Sequence, residues 1–381
     1  MAVSISQFPA DYTFSDNPLT FVFSSTQTAQ ANFSFIVETY FNAALVSVDR
    51  VFPEVSGYAH IDVSPIVKNL FNKPVINNSI YSESGISADI NIKVIENYGT
   101  PPIDQADLTS ATIPVIKGCL SDMAWTTYNA PDYMVASVVS KFMTEMNNLK
   151  GLPAWTILEN PFVLQAIQQG NPALLTITIE NSSVGVIDTY TDTQSYIIPQ
   201  ITVNNYTLIT DCGFSSIDVA AAEWVNVSLD NATFRIDIYQ PECDDDPSTL
   251  QWINQFGSWD SFIFRHNVER KGEVTERTYT KKFGAWDGTD YRYNLNNAGN
   301  MRVGTQQTDK LTIYTDWITQ AEQNYLTTLY KAPRYFLYYA GYIYNVRVTS
   351  NQFTFKKARF EDEISEAVEL DIVNNHNGIS L

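Results

Sequence analysis

The residues able to do chemistry are few and scattered. Three histidines, His60, His266 and His376, lie far apart, and no H-E-x-x-H, G-x-S-x-G or phosphate-loop pattern accompanies them. A serine or cysteine triad would have to recruit His60 or His266, and His60, close to Asp62, reads as a strand-end residue. A glycosidase needs two facing carboxylates. Among 42 Asp and Glu the first suspects are Asp260, after Trp259, and Asp316, before Trp317. Both have a simpler structural role, Asp316 as a helix N-cap and Asp260 as a partner of backbone amides near a turn glycine. The acids of "ECDDDPST" suit a hard cation but lack the spacing and glycine of an EF-hand, and read as a solvated linker. Cys119, Cys212 and Cys243 are odd in number and widely spaced, which predicts buried free thiols and neither a disulfide framework nor a metal site. The expectation is a protein that is not an enzyme, with no catalytic residue, no cofactor and no metal.

The elements that position these residues are mostly strands. Aromatic residues make up 13% of the chain and charged residues only 17%, a bias toward pleated, half-buried surfaces. Period-two alternation recurs at Phe33, Phe35 and Val37, at Ile90, Ile92 and Val94, at Leu175, Ile177 and Ile179, at Val225, Val227 and Leu229, and at Phe234, Ile236 and Ile238. The fold class expected is mainly β: several β-sandwich or β-barrel-like modules with a few short helices. One helix is predicted from Asp132 to Leu149 on apolar residues at helical intervals, ended by Gly151 and Pro153. A second is predicted over "DWITQAEQNYLTTLY", capped by Asp316, with Ile318, Ala321, Tyr325 and Leu329 as its apolar stripe. A short helix is expected from Ser64 to Phe71, while Pro161 to Gln169 fits either a helix start or a strand. Polar, Pro-bearing stretches at 97–110 and 240–249 suggest three domains, 1–110, 111–243 and 244–381.

The net charge of −19 disfavours a phosphate-backbone binder, so no sequence-specific nucleic-acid binding is expected. The start, "MAVSISQFPADYTF", has no signal-peptide pattern, and no window approaches 18 apolar residues, so neither export nor a membrane span is expected.

The most distinctive tract is "WINQFGSWDSFIF", followed about fifty residues later by a tyrosine-rich segment. Trp252 and Trp259 read as buried anchors, Gly257 as a residue in a conformation other residues avoid, and Asp260, Phe262 and Phe264 as their neighbours. Asp316, Trp317, Tyr335 and Tyr338 join them as candidate structural or interface anchors. For "RYFLYYAGYIYN" three readings stand side by side: core, subunit interface and sugar-stacking platform.

These tracts carry a resemblance. "TLQWINQFGSWDSFIFRHN", "YTKKF", "LTIYTDWITQAEQNYLTTLYKAPRYFLY" and "YNVRVTSNQFTFKKARFEDEISEAVELDIV", in that order, resemble structural proteins of tailed phages infecting Bacteroidetes, including the crAss-like group. "NPLTFVFSS" and "GYAHIDVSPIVKNLF" look like the opening of the same proteins; together the parts cover about half the chain. The region from Asp132 to Leu149 departs from the pattern. The resemblance implies a virion protein of the tail or neck, made in the host bacterial cytoplasm. It would form a homo-oligomeric ring with neighbouring tail or neck proteins as partners, with phage DNA passing through the lumen. The alternative expectation is a receptor- or glycan-binding module of the tail tip or of tail-fibre attachment.

Overall fold

The computed structural model describes residues 3–135, 140–148, 154–168, 172–241, 246–266, 268–281, 284–292, 299–349, 365–373 and 378–380. It is mostly β, with several sheets and only short helices. The chain divides into two compact units rather than three. One comprises Met1–Tyr239 with Ile253–Asp260, the other Gln240–Trp252 with Ser261–Leu381. The expected boundary near residue 110 is instead a hairpin. Ser87–Gly99 pairs antiparallel with Pro102–Thr109, so the Gly and Pro residues serve a turn between two strands of one sheet. The next strand, Ile113–Ile116, returns to Ser87–Ile90 on the same sheet.

In the first unit, Val3–Gln7, Thr20–Ser25 and Tyr58–Asp62 form one antiparallel sheet. A second runs in the order Thr13–Phe14, Ile113–Ile116, Ser87–Gly99, Ser34–Phe41, Ala44–Val51. Between them lies a sandwich-like core containing Phe21, Phe23, Phe35, Val37, Ile90, Ile92 and Val94, the residues the alternation points inward. Phe23 and Phe35 meet edge to face at 4.9 Å between ring centres, a favoured geometry for aromatic quadrupoles. Asp62 ends its strand by accepting hydrogen bonds from the amides of Leu19 and Ser64, and the helix Ser64–Val67 starts there, shorter than expected.

The rest of this unit has a five-stranded sheet in the order Ala154–Thr156, Ala232–Ile238, Trp224–Leu229, Ala173–Asn181, Gly185–Gln194. A three-stranded sheet joins Phe162–Gln165, Pro199–Val203 and Tyr81–Glu83, which settles the ambiguous segment after Pro161 as a buried strand. The helix expected from Asp132 to Leu149 is not formed among the described residues. Only the 3-10 turns Ala130–Tyr133 and Glu145–Asn148 occur there. The backbone finds partners across the fold instead: the Val135 amide donates to the Ile167 carbonyl and the Met143 amide to the Gln165 carbonyl. Apolar residues at helical intervals cannot hold a helix whose amides are better satisfied elsewhere. Short helices not expected from periodicity, Asp122–Thr127, Asn205–Thr210 and Ser216–Ala221, begin at side-chain caps from Ser121, Asn204 and Ser215.

One large sheet, most of it in the second unit, runs in the order Trp259–Phe264, Ser248–Ile253, Tyr335–Tyr339, Tyr342–Val348, Ala367–Ile372, Gly299–Tyr314, Glu269–Lys281. The helix of that unit, Gln320–Leu326, starts later than expected. Thr319 is the N-cap and forms a reciprocal capping box with Glu322, while Asp316 lies outside the helix and accepts from the Trp317 amide at 2.7 Å. Thr319 followed three residues later by Glu322 outcompetes Asp316, because the box satisfies amide donors at both ends. Ile318, Tyr325 and Leu329 are buried as the stripe requires.

Candidate assembly interface

Among the described residues, those suspected of chemistry do not come together in one site. His60 is exposed beside Glu54, at 3.2 Å, and His266 is exposed 3.7 Å from Asp316. His376 and Cys243 lie outside the described residues, as do residues 242–245 of the acidic linker. No cluster of metal-ligating side chains occurs among the described residues. The thiol expectation needs correcting: Cys119 is exposed and Cys212 half-buried. Both sit on segments joining elements, Cys119 after Ile113–Ile116 and Cys212 after Asn205–Thr210. Burial, then the carboxylate of Asp211, pushes the Cys212 thiol up to about 12, so it stays protonated and poorly nucleophilic.

Most of the expected anchors are core residues. Trp252 is fully buried and donates through its indole N–H to Thr328 Oγ1 at 3.2 Å. Trp259, Phe264, Tyr335 and Tyr338 are buried and Phe262 half-buried; the Tyr335 hydroxyl donates to the Leu329 carbonyl at 2.8 Å. Tyr335 and Tyr338 therefore serve the core, leaving Tyr342 and Ile343 as exposed members of that hairpin. Trp317 is 64% exposed, so it anchors no core.

Asp260 is a carboxylate with an unusual environment. It is buried, accepts from Thr144 Oγ1 at 2.5 Å and from the Glu145 amide at 3.3 Å, and is pushed up to about 7. Burial is the leading cause; the nearby Glu145 charge adds to it, and the hydrogen bonds from Thr144 and Asn254 oppose it. These contacts hold Asp260 to the segment Thr144–Glu145 and leave it a structural group.

The surface carries features that periodicity did not reveal. The strands Glu269–Lys281 and Gly299–Tyr314 form a long antiparallel arm. At its base Lys310–Tyr314 pairs with Ala367–Asp371, and Gly304–Gln306 pairs with Gly378–Ser380. Further out the two strands pair only with each other among the described residues, and every residue from Glu269 to Thr280 is exposed. The arm presents Val274, Tyr279, Met301 and Val303 to solvent, and its outer hairpin presents Trp286 and Tyr291. Between residues 270 and 302 the chain has seven Lys and Arg against four Asp and Glu, a local charge of +3 in a protein of −19.

Opposite in sign is the stretch 151–234, with eight Asp and Glu and not one Lys, Arg or His. It supplies Gly185–Gln194, an edge strand of the five-stranded sheet on which no residue is buried. The outward face of that sheet also carries a transverse row. Register places Trp155 beside Asp237, Asp237 beside Trp224, and Trp224 beside Glu180. Glu180 accepts from Trp224 Nε1 at 3.1 Å and Asn226 Nδ2 at 2.7 Å. Partial burial acts to raise the Glu180 carboxyl, but hydrogen bonds from Thr178, Asn226 and Trp224 outweigh it and hold the group below its usual range. Arg235 lies over the Trp224 ring at 4.1 Å and donates to Asp237 at 2.6 Å.

The signals for these features were present as charge asymmetry along the sequence, which a whole-chain net charge averages away. No known protein family and no curated protein sequence matches the chain.

Proposed function

We propose that this chain is a structural virion protein, a subunit of a homo-oligomeric ring or collar in a phage tail or neck, assembling with neighbouring tail or neck proteins. The observation that carries the reading is the arm. Beyond Arg277 and Gly304 the arm is a two-stranded ribbon exposed on both faces, which is marginal alone in water, and a partner would add to its order. The resemblance of the tryptophan tract and the segments after it to phage tail proteins supports the same conclusion. Heterologous contacts that close by rotation make rings. The acidic balance of −19 suits a lumen that repels DNA and lets it slide. The test is the mass of the purified chain in solution, with negative-stain imaging. Closed rings support the reading, and a monomer at every concentration refutes it.

One observation favours a second reading, a glycan-binding module. Trp155 and Trp224 stand two strands apart on an open sheet face, about 10 Å by strand spacing, with Asp237 and Glu180 in the same row. The exposed Trp155 indole with the nearby Glu180 carboxylate is a chemistry for sugar rings, while Arg235 covers the Trp224 ring. A glycan array decides: binding lost on Trp155→Ala supports this reading, and a blank array removes it.

A further inference from the structure

We infer that the outer edge of Glu269–Lys281 in one copy pairs with the edge strand Gly185–Gln194 of a second copy, joining two sheets into one. This deepens the ring reading and rests on it. Each strand ends its sheet among the described residues: Glu269–Lys281 pairs only with Gly299–Tyr314, and Gly185–Gln194 only with Ala173–Asn181. A free edge is a template for another strand, and proteins commonly blunt it with Pro or Lys. Gly185–Gln194 has neither.

Charge selects the partner. The arm is locally basic, +3 over residues 270–302, whereas the edge strand belongs to the 84-residue stretch without a basic residue. The second copy therefore supplies a surface complementary to the arm, whereas two arms or two acidic edges would repel.

Register sharpens the match. In an antiparallel pairing that sets Tyr279 opposite Tyr190, Arg277 falls opposite Asp192 and Lys281 opposite Asp188, while Thr278 and Thr280 meet Thr191 and Thr189. Aromatic pairs, opposite charges and threonine pairs are the cross-strand combinations that stabilise sheets. A one-residue slip would face Arg277 with Thr191 or Thr193 and lose all of them. The contact joins different surfaces of two copies, so it propagates and closes into a ring if the rotation allows.

The experiment is a charge swap in the full chain, read by light scattering on size-exclusion fractions. Arg277→Glu and Asp192→Lys should each weaken association at least tenfold. Each variant should still unfold cooperatively from a folded state, its midpoint falling only by what association contributes, since Arg277 is exposed and Asp192 lies on an edge. The double variant, and an equimolar mixture of the two single variants, should restore the oligomer. Oligomers unchanged by both single substitutions overturn this interface and leave the ring reading standing. Loss without restoration in the double variant overturns the pairing, and a parent chain that is always monomeric overturns both readings. If Arg277→Glu leaves assembly intact but abolishes retention on duplex DNA, the arm contacts nucleic acid and the inference fails.

Discussion

A side chain on Gly257 would collide with the backbone of Lys117: its Cβ would lie 1.8 Å from the Lys117 carbonyl oxygen. Gly257 also has φ of +74°, a region that other residues occupy at a cost. The turn around it is pinned from inside. The Asn254 side chain accepts from the amides of Phe256 and Ser258 and donates to the Met143 carbonyl. Neither strain nor clash can relax without breaking this turn. Gly257→Ala should therefore cost on the order of 3 kcal/mol or more in denaturant unfolding. A loss under about 1 kcal/mol would show that the Lys117 backbone yields easily.

The tryptophans divide by burial. Trp252→Ala and Trp259→Ala each delete a fully enclosed indole and should cost about 3–5 kcal/mol. Trp317→Ala removes a side chain that is 64% exposed and should stay within about 0.5 kcal/mol. Melting the three variants side by side checks the ordering; equal losses would contradict it.

Asp260 makes stability depend on pH in a direction unusual for a carboxylate. Its folded value is raised from 3.8 to about 7, so the folded state binds the proton more tightly than the unfolded chain. The contribution is fully present below about pH 4 and is lost as pH rises through about 7, by a few kcal/mol at most. Asp260→Asn should flatten this part of the profile, since the amide keeps the shape and never ionises. Urea midpoints between pH 4 and 8 provide the check, and a parent chain that grows more stable across that window through this group would refute the assignment.

Alternation made much of the β framework legible. Phe35 and Val37, Ile90 to Val94 and Leu175 to Ile179 all turn inward as period two requires. Trp252, Trp259 and Gly257 were legible because large indoles seek cover and glycine beside them signals a tight turn. The segment after Asp132 was not, because its apolar spacing fits a helix while its Val135 and Met143 amides pair with Ile167 and Gln165, about twenty to thirty residues away. Sequence spacing carries no record of such long-range partners. Trp317 failed for a related reason: an indole next to a helix start reads as an anchor, and only the fold shows which side it faces. The arm was hidden because its polar alternation resembles any solvated strand, and its isolation appears only once the neighbouring strands are placed.

The helix cap offers a test in which two adjacent candidates give opposite answers. Asp316 has the residue type of an N-cap and precedes the apolar stripe, yet the helix begins at Gln320. Thr319 Oγ1 accepts from the Glu322 amide at 3.2 Å, and the Glu322 carboxylate accepts from the Thr319 amide at 2.8 Å. Thr319→Ala breaks this reciprocal pair and should cost about 1 kcal/mol. Glu322→Gln keeps an acceptor in place and should cost less, while Asp316→Ala removes the exposed contacts to the Trp317 amide and to His266 and should change stability by less than about 0.5 kcal/mol. Unfolding curves of the three variants separate the two caps. A larger loss for Asp316→Ala than for Thr319→Ala would move the helix start back to the position its sequence first suggests.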